Sequence, residues 1–565
     1  MAYIKSKLAV LFLALCLTYV LTERALAAPI SVPSNADAGR VIEDMKKTPE
    51  PSFAGPSVKA QEIIGEKAPA GSEKVQFILK KVVIKGATAY REEDLAKIYS
   101  DYIGKTISLN QMYDFANAIT KRYQDDGYVL SRAVVPPQEI GDGIIKIKVI
   151  EAYIGTVKTE GNYTNAKVPE GMIARIKALH PFNVHDLERQ MLLLNDLAGV
   201  TVKSVLQLPK NQQEANDGAV DLSLIFSDKH DSANVSLDNF GSRYLGPFEQ
   251  SAQANLSLLP YQQTTINGLV STPVRELQYI SLSHLVPIDS SGTAASFQVN
   301  YAHSQPGFEL EQDNVHSRSV DYGVFLSHPF IRSRAENLSM GGGFELKTSD
   351  TDVMENRLYR DVIRIASLNA NYDISDEWAG ENQAQIKFSQ GLDVLGARET
   401  GSVDLSRGNG HSDFSKVNST ISRLQGITDN FQFYAAATGQ YAWTPLLSSE
   451  QFGFGGQQFG RAYDSSEITG DDGIAGSLEL RYLGLPDFLN VNSQFFTFYD
   501  IGKVWNYDGV TDPSGSSVGF GIRFSHDDDL SGNLLLAQPL TKAVAAPEYG
   551  NGRSPRFFFS LGFKF

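Results

Sequence analysis

Few residues in this chain have the types and spacing that covalent chemistry needs. The nine histidines are scattered, with no pair placed on one helical face for zinc. Serines abound, yet no Gly-x-Ser-x-Gly elbow stands between a strand and a helix. Gly104-Lys105-Thr106 imitates the end of a phosphate loop, but Tyr99 stands where that spacing requires glycine, so the segment reads as a connection between helices. His526-Asp527-Asp528-Asp529 has the composition to bind a cation, and a solvated acidic turn is the simpler reading. The sequence therefore points to no enzyme, no cofactor and no metal.

One loop is unusual in another way: Phe452-Gly453-Phe454-Gly455-Gly456-Gln457-Gln458-Phe459-Gly460-Arg461-Ala462-Tyr463-Asp464. Its glycines let the backbone fold back tightly, which a solvated loop does not require. Such a segment, with one arginine and several aromatics, is suited to descend into a lumen. Arg461 then needs a carboxylate, and Asp500 in Phe498-Tyr499-Asp500-Ile501-Gly502 is among the inward-facing candidates. By spacing alone, an ordinary loop cation is the simpler reading of Arg461.

The elements that must position this loop are strands. The chain ends Arg556-Phe-Phe-Phe-Ser-Leu-Gly-Phe-Lys-Phe565. Phe557, Phe559, Leu561, Phe563 and Phe565 share one face, and Phe558, Ser560, Gly562 and Lys564 the other. A greasy outer face and a small or charged inner one suit a strand between lipid and a wet lumen. From Ser232 onward, alternating segments such as Tyr279–Leu285, Arg360–Tyr372, Gln432–Tyr441 and Gln494–Asp500 are separated by Gly, Asn, Asp, Ser and Pro. There is room for about sixteen strands. Some connections are tight, as at Ser290-Ser291-Gly292. Others, at residues 391–411, 448–472 and 540–555, are long.

Residues 1–27 combine Lys5 and Lys7, an apolar run and Ala25-Leu26-Ala27, the pattern of a cleavable export signal. The chain's one cysteine, Cys16, lies within it. Removing residues 1–27 takes the formal charge from -15 to -17, which disfavours nucleic acid as a partner. No later window is long and apolar enough for a membrane-spanning helix, which leaves a closed β-barrel as the route into a bilayer.

Between signal and barrel, residues 28–47 hold one short amphipathic helix. Ser34 is the expected cap, with Asp37 favouring the start, and Ala38, Val41, Ile42 and Met45 form the apolar face. Residues 48–74 read as a Pro/Ala/Gly/Ser-rich linker. Two small α+β modules follow, at 75–152 and 153–228, each in the order strand, helix, helix, strand, strand. In the first, Phe77–Ile84 is an expected strand. Ser108-Leu109-Asn110-Gln111 is a capping box opening a helix whose Met112, Phe115, Ala116, Ile119 and Tyr123 share one face. Tyr128–Val135 and Ile144–Glu151 are its closing strands. In the second, Met172–Leu179 and Val184–Leu197 are expected helices, with Ala219–Phe226 as the last strand. Residues 229–565 are then the barrel, carrying the loop 448–472.

Taken in order, these stretches resemble the outer-membrane translocators of two-partner secretion, the haemolysin and filamentous-adhesin secretion family. The resemblance rests on Asp238-Asn239-Phe240-Gly241-Ser242-Arg243-Tyr244, Ser327-His328-Pro329-Phe330, Ser389-Gln390-Gly391-Leu392 and Glu479-Leu480-Arg481-Tyr482. It implies a transmembrane antiparallel barrel of about sixteen strands, preceded by two periplasmic polypeptide-transport-associated (POTRA) modules and a plug-like helix. The family's Val-Arg-Gly-Tyr/Phe tetrad falls on Gly460, Arg461, Ala462 and Tyr463, followed by Asp464. Its Phe-x-Asp-x-Gly wall motif falls on Phe498, Asp500 and Gly502. Alanine at 462 departs from the pattern; because alanine tolerates positive φ poorly, a different turn is expected at the tip.

The resemblance further implies transport of an unfolded partner protein of adhesin, cytolysin or haem-binding type, without nucleotide. It implies that the modules capture the partner by adding it as a strand to a sheet edge. Phe563 and the terminal Phe565 would be read by the outer-membrane assembly machinery, with the lipid bilayer as the remaining partner. A barrel-assembly factor is the alternative reading, and a passive porin leaves the tandem modules unexplained.

Overall fold

A computed structural model describes residues 32–46, 66–484, 491–507, 509, 512–527 and 529–565. The expected export signal, most of the expected linker, Lys47 and Asp528 lie outside the described residues.

The first module packs the helix Leu109–Asp125 on a three-stranded sheet ordered Lys81–Lys85, Ile144–Ile150, Arg132–Val134, the first pair parallel and the second antiparallel. Its capping box is formed on both sides: Ser108 Oγ accepts from Gln111 N, and Gln111 Oε1 accepts from Ser108 N. Met112, Phe115, Ala116, Ile119 and Tyr123 are buried against Leu79, Val82, Ile145, Ile147 and Val149. The second module repeats this topology. Tyr153–Gly161 runs parallel to Ala219–Asp228, which pairs antiparallel with Val200–Gln207; the helices Lys167–Lys177 and Val184–Asn195 cover the sheet.

Local departures have local causes. The expected strand Phe77–Ile84 is two strands, Gln76–Ile78 and Lys81–Lys85, because the chain changes partners between them. Gln76–Ile78 pairs with Thr106–Ser108, Leu79 N then donates to Lys105 O, and Lys80 N to Gly143 O. Tyr128–Val135 shrinks to Arg132–Val134, since Ser131 N turns back to Tyr128 O. Gly104-Lys105-Thr106 is a turn entering the strand Thr106–Ser108, not a link between helices.

Sixteen antiparallel strands, from Ser232–Asp238 to Arg556–Lys564, close into one barrel. The last pairs with the first, Ser560 with Asp238 through Lys564 with Asn234. Closure satisfies the backbone groups that an open edge would leave bare in lipid. Along Val315–Arg332, Tyr322, Val324 and Leu326 are exposed on the outside, while Ser317, Ser319 and Asp321 are buried inside. Phe557 and Phe563 face outward, and Phe565 is 76% exposed. Phe558 corrects the expected small or charged inner face: it is buried in an aromatic cluster with Phe240, Phe496 and Phe498. The second module sits against the periplasmic turns, with Arg332 bidentate on Asp196 (2.9 and 2.7 Å).

Candidate functional site

The loop after the strand Phe431–Ala442 folds into the barrel as a hairpin, with Phe452–Phe454 paired to Ile468–Gly470. Its tip is a four-residue turn closed by Tyr463 N donating to Gly460 O at 2.8 Å. Gly460 takes φ +84°, a region that disfavours side chains, and a Cβ there would sit 2.7 Å from the Phe454 ring. Phe454 in turn occupies space left by Gly502, where a Cβ would approach within 2.2 Å. The wall glycine is thus a seat for the loop's own aromatic. Ala462 is not left-handed, contrary to the concern raised by its substitution for glycine; the positive φ falls on Gly460. Ala462 is fully buried and joins the cluster of Phe496, Phe498 and Phe558.

Arg461 is 6% exposed and reaches the wall. Its Nε and Nη2 donate to Asp500 Oδ2 and Oδ1 at 3.0 and 2.7 Å. Nη1 donates to Glu479 Oε2 at 2.6 Å and Nη2 to Ser477 Oγ at 2.8 Å. Asp500 also accepts from the backbone N–H of Gly460 (3.2 Å) and Arg461 (2.9 Å) and from Ser477 Oγ (2.8 Å). The guanidinium lies 3.7 Å from the Phe498 ring centroid, so the first residue of Phe-x-Asp-x-Gly stacks on the cation that the third binds. Glu479 further accepts from Arg481 and Arg523, both at 2.6 Å. Three guanidiniums therefore share two carboxylates in a buried network, where each charge depends on its partners.

A second tie runs the other way. Arg556, at the start of the last strand, donates to Asp464 Oδ1 at 2.7 Å and to Ala462 O at 3.1 Å. Tyr463 Oη lies 3.1 Å from the carbonyls of Ser516 and Lys542. Glu479, Ser477, Arg523 and Arg556 were not reached as site residues by sequence reasoning. A usable signal was the two-residue period that puts Ser477, Glu479 and Arg481 on the same face as the tip.

The N-terminal helix is Ala38–Asp44, preceded by a 3-10 turn over Ser34–Ala36. Asp37, not Ser34, is its cap, accepting from Gly39 N at 2.7 Å. Ser34 instead meets Thr469 of the hairpin at 3.0 Å. The helix lies within the barrel against the strands Ala294–Ser304 and Val315–Arg332. Val41 packs with Leu269 and Leu277, Met45 lies against the same group, and Ile42 packs with Ala302. The opposite, polar face is ion-paired. Glu43 meets Lys347, Lys46 meets Glu345 at 3.2 Å, and Arg40 Nε donates to Ser466 Oγ of the lumen loop at 2.9 Å. Ser465 and Ser466 both donate to Asp44, at 3.0 and 2.7 Å. Helix and loop thus form one hydrogen-bonded block. A cavity of about 1520 Å³ lies between this block and the barrel wall, lined by hydroxyl and amide groups such as Asn267, Gln298, Asn371 and Thr438.

No group of three or more His, Cys, Asp or Glu with metal-binding geometry occurs among the described residues. His526 lies 3.6 Å from Asp527 in a periplasmic turn.

Comparison with known proteins agrees with this architecture. A family model described as haemolysin secretion/activation protein ShlB/FhaC/HecB matches residues 220–524, and one described as POTRA domain, ShlB-type, matches residues 77–152. The chain is 25% identical to the heme/hemopexin transporter protein HuxB of Haemophilus influenzae (strain 86-028NP), over 94% of this chain and 95% of that protein. It is 22% identical to the outer membrane transporter CdiB of Dickeya dadantii (strain 3937), over 76% and 77%. The solved structure of CdiB from Escherichia coli superposes with a TM-score of 0.73 at 17% identity, covering 89% of this chain and 93% of that one. With its POTRA modules in the periplasm and its sixteen-stranded barrel in the outer membrane, the chain belongs to the ShlB/FhaC/HecB family and is a translocator of two-partner secretion.

Proposed function

We propose that the block of N-terminal helix and lumen loop is the closed gate of this translocator, and that a partner polypeptide displaces it on its way through the barrel. The observation that carries this reading is the tie between the two parts, Ser465 and Ser466 on Asp44 and Arg40 on Ser466, inside a barrel whose wall holds Arg461. The helix acts as the plug through Val41, Ile42 and Met45. Arg461 and Asp500 act as the lock, with Gly460, Ala462, Tyr463 and Asp464 shaping the tip and Phe498 and Gly502 shaping its seat.

The partner is captured in the periplasm as an added strand. The edge Val200–Gln207 of the second module suits this, since residues 203–207 are exposed and its far side pairs with no further strand among the described residues, the Asn195 side chain taking only the N–H and C=O of Val202. Coverage of nearly the whole chain by a heme/hemopexin transporter supports a haem-binding partner, with an adhesin or a cytolysin as the other outcomes. Phe563 and Phe565 are the address read by the outer-membrane assembly machinery. The test is a comparison of exported proteins with and without the chain. Loss of one exported protein from the medium supports the reading, whereas a general loss of outer-membrane barrels would replace it with an assembly role.

A further inference from the structure

The barrel closes on itself through its weakest junction. First and last strands share five residue pairs in register, against seven or more at every other junction of the wall among the described residues. Regular pairing stops at Asp238 and Ser560, leaving the extracellular end of the last strand, Arg556–Phe559, without a strand on that side. One backbone bond continues past this point, Asn239 N donating to Phe559 O at 3.3 Å, and side chains supply the rest. Asn239 Oδ1 accepts from Phe559 N at 2.7 Å, and its Nδ2 donates to Phe557 O at 2.9 Å. On the inner face, Phe240 stacks on Phe558, ring centroids 5.1 Å apart and planes 2° from parallel. The lumen-loop tip then bears on the same spot: Ala462 belongs to the Phe558 cluster, and Arg556 is held by Asp464 Oδ1 and Ala462 O.

The geometry points to a second role for the tip: Asp464 and Arg556 are positioning residues that clamp the barrel seam from within, so that the seam above Ser560 is shut only while the loop is seated. The inference rests on the reading of the loop as a displaceable gate and adds a consequence to it. Withdrawal of the tip releases not only the lumen but the four extracellular residues of the closing strand, Arg556–Phe559, which frees the wall to widen around a polypeptide. Arg461 holds the tip through the strands Asp472–Tyr482 and Val491–Trp505, away from the seam, so the two ties are separable.

The test is amide hydrogen exchange on the full chain in lipid nanodiscs, comparing Asp464→Asn, Arg556→Gln and Arg461→Ala. Asp464→Asn and Arg556→Gln are expected to speed exchange about tenfold in residues 232–240 and 556–559 while leaving 315–375 unchanged. Arg556→Lys should restore part of the protection. A cross-seam disulfide separates clamping from misfolding: Ser236 and Gly562 are register partners, and a Cβ on Gly562 would lie 3.9 Å from that of Ser236, within disulfide range. Oxidising Ser236→Cys/Gly562→Cys in the Asp464→Asn background should return exchange to the wild-type rate. Unchanged seam exchange in both charge variants overturns the clamp. If Arg461→Ala secretes normally while Asp464→Asn still loosens the seam, the gate reading fails and the clamp stands.

Discussion

Truncating Arg461 to alanine strips Asp500 of both guanidinium hydrogen bonds while leaving it fully buried. Breaking a buried pair by removing one partner costs about 3 to 5 kcal/mol. The lower end applies here, because Asp500 keeps Ser477 Oγ and the backbone N–H groups of residues 460 and 461, and Glu479 keeps Arg481 and Arg523. About 3 kcal/mol corresponds to a roughly hundredfold shift of the tip towards an unseated state. The barrel strands lose none of their own pairings, so the variant should insert and migrate as a heat-modifiable barrel. Secretion of the partner should fall, because a tip that no longer reseats leaves the gate uncoupled from cargo arrival. The assay is partner protein in the medium, normalised to folded barrel in the membrane. Exchanging the charges of 461 and 500 should rescue little, since an aspartate at 461 would face Glu479, now 2.6 Å from the guanidinium. Normal secretion by Arg461→Ala at wild-type barrel levels refutes the lock.

Deleting residues 34–46 removes the helix from its bed of Lys347, Glu345 and Tyr359 and joins its volume to the adjacent cavity. Single-channel conductance in planar bilayers should rise, and an unchanged conductance would argue against a plug. Gly460→Ala forces a side chain into φ +84° and onto the Phe454 ring, so the tip should be destabilised by about 1 to 3 kcal/mol although Arg461 is present; secretion measured beside Arg461→Ala checks this. In the first module, burial raises the pKa of Glu151, but bonds from Thr88, Ala89 N–H and the Tyr123 hydroxyl outweigh it and hold the carboxyl below its ordinary value near 4.5. A depressed folded-state pKa gives stability that is fully present above the unfolded value and is lost as pH falls through the folded one. Acid unfolding of Glu151→Gln followed by circular dichroism should therefore show a flatter pH dependence below about 4.5 than wild type.

Elements with one environment along their length were legible from residue order. The helix Leu109–Asp125 has a capping box and a single apolar face, and the barrel segment Gln494–Asp500 alternates between an exposed and a buried face, so periodicity carried both. Strand alternation left Asp500 as one inward-facing candidate among several for Arg461, and only the family motifs singled it out, since no local rule joins residues 39 apart. What escaped depended on partners distant in sequence. The break at Leu79 comes from two different neighbouring strands, and Asp37 became the cap because Ser34 was drawn to Thr469. Phe558 violated the inward-polar rule because the loop tip, not water, covers it. Arg556 was read as the start of a strand; its carboxylate partner lies 92 residues earlier.

The central claim is that a partner polypeptide passes through the lumen now closed by helix and loop. A photo-reactive amino acid at Asn267, on the cavity wall, tests it against a partner stalled in transit by a folded C-terminal fusion. Passage through the lumen predicts a light-dependent adduct between chain and partner, absent when the probe is placed at the outward-facing Val324. Secretion-competent partner that links to neither position, or to Val324 alone, would contradict it.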